Sequence, residues 1–298
     1  MSPKLDWLEG FAEFAEDLNF TRAAARLHMS QPALHTQVRK LAEALEVSLY
    51  ERRGRRLVLT DAGIEALRFA REMRSRTQDF IASVRGHAPT SPLILAAGEG
   101  SFLYLLGPAI RSFVRSAVAP LRLLTRAAEP AIEAVRVGDA QLAVAVAAEV
   151  PDQLQGQPLA EFQHVAVVPK THRLATRTKI SLASLAGEAL VVPAQGSRLR
   201  QTLATGFSAS GHELSVAVEA SGWEPMLHFA SLGLGPAVVN GCCRVPRGMV
   251  GVPVSDLPRV RYLLLHAPGA LGDSRVAALH ATVLRKTGNT RGSSGKRG

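Results

Sequence analysis

Acidic side chains are in short supply in this 298-residue chain: 25 Asp and Glu stand against 35 Lys and Arg, for a net charge of +10. That balance favours an acidic partner, whether DNA, RNA or a membrane surface. Cysteine is scarcer still, with two in all, adjacent at Cys242 and Cys243. Neighbouring thiols bridge only under strain and hold no metal without further ligands, so a disulfide framework and a metal centre are not expected. Buried structural cysteine is the expected role, with redox sensing as the alternative. No uncharged apolar run of spanning length is free of Gly or Pro, and Asp6, Glu9 and Glu13 interrupt what would be a secretory leader. A cytoplasmic protein is therefore expected. Gly233-Leu234-Gly235 lacks the third glycine of a dinucleotide fingerprint and reads as a tight helix-to-strand turn. There is no Walker loop, no spaced set of metal ligands and no nucleophile with an obvious base. The chain is expected to be no enzyme, with no cofactor, no metal and no catalytic residue.

What the chain does have is a basic segment between Phe20 and Leu59. Thr21 is placed to cap a short helix carrying Ala24, Ala25 and Leu27. Ser30 is placed to cap a second, with Pro32 in a first turn whose N–H groups lack partners anyway. The junction from Leu27 to Ser30 is too short for a real loop, so the two helices must cross steeply, as in a helix-turn-helix. On the second helix Leu34, Val38, Leu41 and Leu45 recur at three- and four-residue steps and predict one buried stripe. Gln31, His35 and Arg39 share another stripe, beside Pro32, Thr36 and Lys40. Gln can pair with adenine, Arg with guanine and Thr with base edges or phosphate, so that side suits the DNA major groove. A solvated helix face would carry the same residues; the flanking sequence argues for DNA.

Leu49-Tyr50 and Leu57 to Leu59 read as two strands joined by a turn from Glu51 to Arg56, with Gly54 supplying an unusual backbone angle. Arg52, Arg53, Arg55 and Arg56 crowd that turn. Packing like charges together costs free energy unless an anion neutralises them, and a phosphate backbone beside a docked helix would do so. From Arg22 to Arg56, eight Lys or Arg against three Glu leave a local balance of +5, half of the chain's net +10.

These residues resemble the winged helix-turn-helix of LysR-type transcriptional regulators. The resemblance lies in Phe20-Thr21-Arg22-Ala23-Ala24, in Leu27-His28-Met29-Ser30-Gln31-Pro32-Ala33-Leu34, and in the wing from Leu49-Tyr50-Glu51-Arg52 to Leu59-Thr60. It is strong from Leu5 to about Gly63 and continues more weakly to about Arg285. It implies a sequence-specific regulator with Ser30, Gln31, Pro32, His35, Thr36 and Arg39 at the DNA and Arg53 and Arg55 on the wing, at phosphate or in the minor groove. His28 is expected to close the turn. The family usually carries Ser then Arg where this chain has His35 then Thr36, which implies an altered base preference. For His35, a pH-sensitive phosphate contact and an ordinary neutral base contact both stay open.

Thr60 and Asp61 open a long helical pattern through Ile64, Leu67, Ala70, Met73, Thr77, Phe80, Ile81 and Val84, ending near Gly86 and Pro89. A helix of about 25 residues is roughly 37 Å long, more than the small domain before it can cover. A second copy is expected on its apolar stripe, the alternative being that the helix lies on its own effector domain. The resemblance implies a homodimer or a dimer of dimers on paired half-sites.

Beyond Pro89, apolar strands alternate with helical stretches, which predicts an open α/β architecture. The expected strands are Leu93 to Ala97, Leu121 to Thr125, Leu142 to Val146, His164 to Val168, Ala189 to Val192, Leu214 to Val218, Ala237 to Val239 and Arg261 to His266. The whole is expected to be an α/β multidomain protein: a winged helix-turn-helix over 1–60, a linker helix over 61–88, and a two-lobed domain like periplasmic binding proteins over 89–285. By resemblance the first lobe covers about 92–161 and 265–285 and the second about 162–264. A basic tail over 286–298 is expected to be disordered. Gly100-Ser101 and Gly196-Ser197 each stand where a strand gives way to a helix, a natural socket for an anion, although plain helix caps would look the same. Glu129 and Trp223 each follow a strand and are further candidates for contact with an effector, expected to be a small anion such as a carboxylate. The partners expected are promoter DNA, that effector and further copies of the chain, with room for RNA polymerase and none for a membrane. An α/β enzyme or solute-binding protein with a basic head, and a sequence-indifferent architectural protein, are the competing readings.

Overall fold

In the computed structural model the described residues are 2–86 and 91–288, so Pro89 and the tail beyond 288 lie outside them. The N-terminal head packs three helices, α1 (Leu5–Ala15), α2 (Phe20–Arg26) and α3 (Gln31–Leu45), around Phe11, Phe14, Leu34, Val38 and Leu41. Each of these side chains stabilises the head by about 2 kcal/mol through the apolar surface it removes from water. α2 starts earlier than expected: Asn19, not Thr21, is its cap, its Oδ1 accepting the Arg22 N–H at 3.0 Å. That start places Phe20 in the core, stacked on Phe14 with ring centres 3.9 Å apart. Ser30 caps α3 as expected, accepting the Ala33 N–H at 3.3 Å. Between the two helices His28 takes a left-handed backbone, φ +53°, and its N–H returns to the Ala25 carbonyl. Leu45 departs from the predicted stripe. It is the last residue of α3, where the chain swings away at Glu46 (φ +56°), and it is left 38% exposed.

The wing is tighter than its sequence suggested. Strands β1 (Tyr50–Arg53) and β2 (Arg56–Leu59) pair from Tyr50 with Leu59 up to Arg53 with Arg56, so the turn is Gly54-Arg55 alone. Gly54, at φ +63°, is the first of those two residues, where glycine is the usual choice for a hairpin of this length. Thr60 then starts the long helix α4 (Asp61–Val84): its hydroxyl donates to the Ser48 carbonyl and accepts the Gly63 N–H. Any Cβ on Gly63 would overlap the Leu49 carbonyl, so the approach of helix to hairpin requires glycine there.

α4 is shared between two neighbours and open on a third side. Ala66, Leu67 and Ala70 join the core of the head. Arg71, 10% exposed at its side chain, donates to Glu16 of α1 and to Asp139 and the Val137 carbonyl of the following domain. Further along, Asp79 accepts from Arg275 at 2.6 Å. Phe69, Phe80 and Val84 lie on the remaining side, 48%, 66% and 71% exposed. One side of the helix thus rests on its own chain, as in the alternative reading, and the other is uncovered.

The rest forms two five-stranded sheets. The first has the order β4-β3-β5-β12-β6, from β3 (Leu93–Ala97), β4 (Leu121–Thr125), β5 (Leu142–Val146), β6 (Gln155–Phe162) and β12 (Val260–His266). The second has the order β11-β7-β10-β8-β9, from β7 (His164–Pro169), β8 (Leu190–Pro193), β9 (Val216–Ala220), β10 (Ala237–Asn240) and β11 (Met249–Pro253). Helices α5 (Gly107–Arg115), α6 (Ala128–Arg136) and α9 (Ser274–Gly288) pack on the first sheet, and α7 (Arg198–Ala209) and α8 (Trp223–Ser231) on the second. β6 and β11 were not expected, because Gln, Gly and Pro dilute the first and Gly and Pro the second. Each is an edge strand, where proline and glycine are tolerated. The chain returns to the first lobe earlier than residue 265, because β12 pairs with β6 from Val260 and with β5 from Tyr262.

Two segments join the lobes: β6 runs through Gln163 into β7, and β11 leads on to β12. They are tied to each other, Gln163 Nε2 donating to the Val254 carbonyl at 3.0 Å. Beside them Asn240 of the second lobe donates to the Tyr262 hydroxyl of the first at 2.9 Å, wholly buried. His164 lies there too, its Nδ1 3.1 Å from the Pro258 carbonyl, and burial holds its pKa below the ordinary 6.5. His280 on α9 is lowered by burial and then by His266. For such groups the unfolded chain takes up protons below pH 6.5 while the native one resists, so their stabilising effect is complete above 6.5 and fades as pH falls. The thermal midpoint is expected to fall between about pH 7.5 and 5.5, and His164→Gln to flatten that part of the profile.

Candidate functional site

The recognition side of α3 is open. Gln31, Pro32, His35, Arg39 and Lys40 are exposed, and Thr36 is half-buried, opposite the buried Leu34, Val38 and Leu41. Three of these groups have local partners that the sequence did not reveal. Thr21 Oγ1 donates to Gln31 Oε1 at 3.2 Å, leaving the Gln31 amide NH₂ as its outward group. Thr36 spends its hydroxyl hydrogen on the Pro32 carbonyl at 2.8 Å, an i to i−4 return bond. Arg39 meets Glu43 at 3.4 Å, both side chains mostly in solvent, an ion pair worth about 0.3–0.5 kcal/mol that a better anion can displace. Ser30 is occupied in capping.

The hairpin lies beside this face. The Phe20 ring is 5.1 Å from His35 and 5.9 Å from Tyr50, so one aromatic side chain touches both the recognition helix and the first strand of the wing. All four hairpin arginines are exposed. Arg53 is paired with Glu51 at 2.7 Å and Arg52 donates to the Gly54 carbonyl, while Arg55 and Arg56 make no hydrogen bond or ion pair among the described residues. Arg22 and Arg26, by contrast, are committed to Asp17 and Glu13 and serve the head itself. The mutual hydrogen bond with Arg26 draws the Asp17 carboxyl below its ordinary value.

Between the lobes the candidate residues separate. Trp223, at the start of α8, lies directly on Gly100, where any Cβ would collide with the indole. It packs against the cores of both lobes and stacks on Tyr104, ring centres 6.2 Å apart. The Tyr104 hydroxyl donates to Glu224, a second bond across the cleft, and burial followed by that bond pushes the phenol well above its ordinary range. Ser101 is buried, and it does not stand at an open helix end. Its N–H and that of Phe102 both go to the Gly98 carbonyl, and the chain continues as a π-helical turn over Ser101–Leu106. Glu129 is exposed in the first turn of α6 with no polar partner among the described residues. Gly196, at φ +82°, and Ser197 open α7, with Ser197 Oγ accepting the Arg200 N–H at 3.2 Å. No hydrogen bond or ring contact joins them or Glu129 to the Gly100–Trp223 pair.

Two groups were missed by the sequence reading. Arg200 carries a buried Nη1 with no partner among the described residues, one turn into α7. Its place three residues after a Gly-Ser cap was the available signal. Tyr104 had none, since its partners lie some 120 residues away. Cys243 is buried and Cys242 half-buried, both as free thiols. Burial pushes the Cys243 thiol far up, which suits the structural role expected of it. Among the described residues no cluster of His, Cys, Asp and Glu could hold a metal ion, and no helix is long and apolar enough to cross a membrane.

Residues 5–64 match the model for the bacterial regulatory helix-turn-helix protein, lysR family, and residues 86–288 that for the LysR substrate binding domain. The chain is 29% identical over 243 residues, 80% of either chain, to the RuBisCO operon transcriptional regulator of Allochromatium vinosum. It is 28% identical over 284 residues to the DNA-binding transcriptional dual regulator OxyR of Escherichia coli (strain K12), covering 91% of this chain and 92% of that one. Among solved structures it resembles a full-length OxyR variant from Pseudomonas aeruginosa, with a TM-score of 0.65, 21% identity, and coverage of 96% and 98% of the two chains.

Proposed function

The chain belongs to the LysR family of DNA-binding transcriptional regulators with an effector-binding domain, and we propose that it reads its promoter through Gln31, His35 and Arg39 of α3, with Arg55 and Arg53 of the wing on the phosphates. The observation that carries this reading is the Phe20 ring, which sets the recognition face and the hairpin side by side. Ser30 and Pro32 shape the helix start that enters the groove. Because Thr21 already engages the Gln31 oxygen, Gln31 offers mainly an N–H donor, which favours an acceptor such as guanine N7 or O6 over the two-way pairing with adenine. Thr36 offers its methyl group and lone pairs only. Two copies pair along Phe69, Phe80 and Val84 of α4, which gives the two heads that a pseudo-palindromic site requires.

The effector in this proposal is a small anion bound at the start of α7. The N-terminus of that helix, the Ser197 hydroxyl and the unpartnered Arg200 nitrogen supply its charge complement. The Trp223 and Tyr104 contacts across the cleft define one angle between the lobes, and an anion that binds another angle better shifts the balance between the two. In this reading the chain is a binding protein and does no chemistry. The test is a thermal-shift screen of small carboxylates, each hit then being titrated into a promoter-binding assay. A true effector at a hundred times its Kd stabilises the wild type by about 2.7 kcal/mol, changes promoter affinity, and loses both effects in Ser197→Ala and Arg200→Ala. Hits that stabilise all three proteins equally would remove this end of α7 from the site.

A further inference from the structure

A concavity of about 730 Å³ lies away from the residues between the lobes, bounded by the inner side of α4, strand β4 and helix α6. It is ringed by Arg71 and Arg74 from α4 and by Arg122 and Arg126 from β4 and the residues just after it. Three acids line the same wall, one fewer than the arginines, and Asp139 lies near enough to Arg126 and Arg74 to feel both. Glu16 and Asp139 are both bonded to Arg71, and Glu133 is paired with Arg136. The Arg126 side chain has one hydrogen bond, to the Thr125 carbonyl. The side chains of Arg74 and Arg122 have no hydrogen bond or ion pair among the described residues. Arginines in excess of carboxylates around a concave wall leave a net positive potential in it, and their planar forks suit phosphate oxygens in pairs.

The arrangement also sets the kind of occupant. Arg74 stands on the linker helix, while Arg122 and Arg126 stand on the lobe facing it, so an occupant that engages both must present anionic oxygens on two sides. We propose that this seam is a second ligand site, for a compact polyanion with at least two phosphate groups, and that its occupant ties the linker helix to the first lobe. It is separate from the cleft and uses none of the cleft residues. Because α4 also carries the head, through Ala66, Leu67 and the Arg71–Glu16 bond, a ligand held there biases the angle between head and lobe.

Sodium pyrophosphate is the probe, titrated calorimetrically into the full-length protein without DNA, with orthophosphate and sulfate at matched ionic strength. The expected result is pyrophosphate binding that weakens by about tenfold or more in the double variant Arg74→Ala with Arg122→Ala, and to a similar extent in Arg122→Gln alone. Both positions are exposed, and unchanged melting of each variant verifies the fold. Binding is expected to persist in Arg53→Ala with Arg55→Ala, which removes the wing as the receptor, and in Ser197→Ala, which removes the cleft. Absence of pyrophosphate binding by the wild type, equal binding of sulfate, or loss of binding in the wing or cleft variants would each overturn the assignment.

Discussion

Alanine at both Gln31 and Arg39 is expected to bring affinity for the cognate promoter down to that for a random duplex, a loss of about 10³-fold or more at fixed salt. The magnitude follows from the contacts removed. A good base contact discriminates by about 1–3 kcal/mol, and two contacts in each of two heads amount to roughly 4–12 kcal/mol, whose lower end corresponds to about 10³. The fold should survive, because both side chains are exposed and α3 is held by Leu34, Val38 and Leu41. Non-specific binding should survive as well, since the wing arginines remain. These belong to a different part of the affinity: Arg55→Ala is expected to flatten the log–log salt dependence by about one unit per head and to leave the ratio of cognate to random binding unchanged. Arg53 should show less, being already paired with Glu51. Fluorescence anisotropy with the two duplexes over a salt series measures both effects. A cognate preference that outlives the double substitution would remove α3 as the reading element.

Placing Glu at Phe69 and Phe80 together is expected to split the dimer and to weaken binding to a promoter with both half-sites by about 10²–10⁴-fold, the advantage of linked binding. Affinity for an isolated half-site should not change. Each phenylalanine contributes about 2 kcal/mol once buried, and charged groups in their place would repel across a two-fold axis. Neither ring belongs to the core of the head, so the monomer should melt as before. Sedimentation velocity at micromolar concentration decides the matter. If the variant still sediments as a dimer, some other surface joins the copies.

The parts of this chain that could be read from sequence are those fixed by short-range chemistry. Ser30 three residues before Ala33, the three- and four-residue steps of Leu34, Val38 and Leu41, and a glycine between runs of arginine determine helix, face and hairpin within some thirty residues. The strands with unbroken apolar runs were equally plain. β6 and β11 were not, because an edge strand need not be apolar throughout and their Gln, Gly and Pro residues look like loop. The lobe boundary near residue 265 was misplaced for a related reason: the pairing of β12 with β5 and β6, which assigns that strand to the first lobe, is set by residues about a hundred positions away. The cleft shows the same limit. Gly100 and Trp223 were each picked out by their position after a strand, but that one lies on the other, with Tyr104 and Glu224 beside them, depends on the fold as a whole. Thr21 was expected to cap α2 and instead orients Gln31, because Asn19 supplies an equally good oxygen two residues earlier.

The two strand connections between the lobes, bonded to each other from Gln163 to Val254 and flanked by the buried Asn240–Tyr262 bond, behave as a double strap. A double strap resists stretching and sideways sliding but allows torsion about its own length. The connections therefore let one lobe turn against the other more readily than move apart from it, and in the proposed reading an effector held between the lobes reaches the heads as a change of angle.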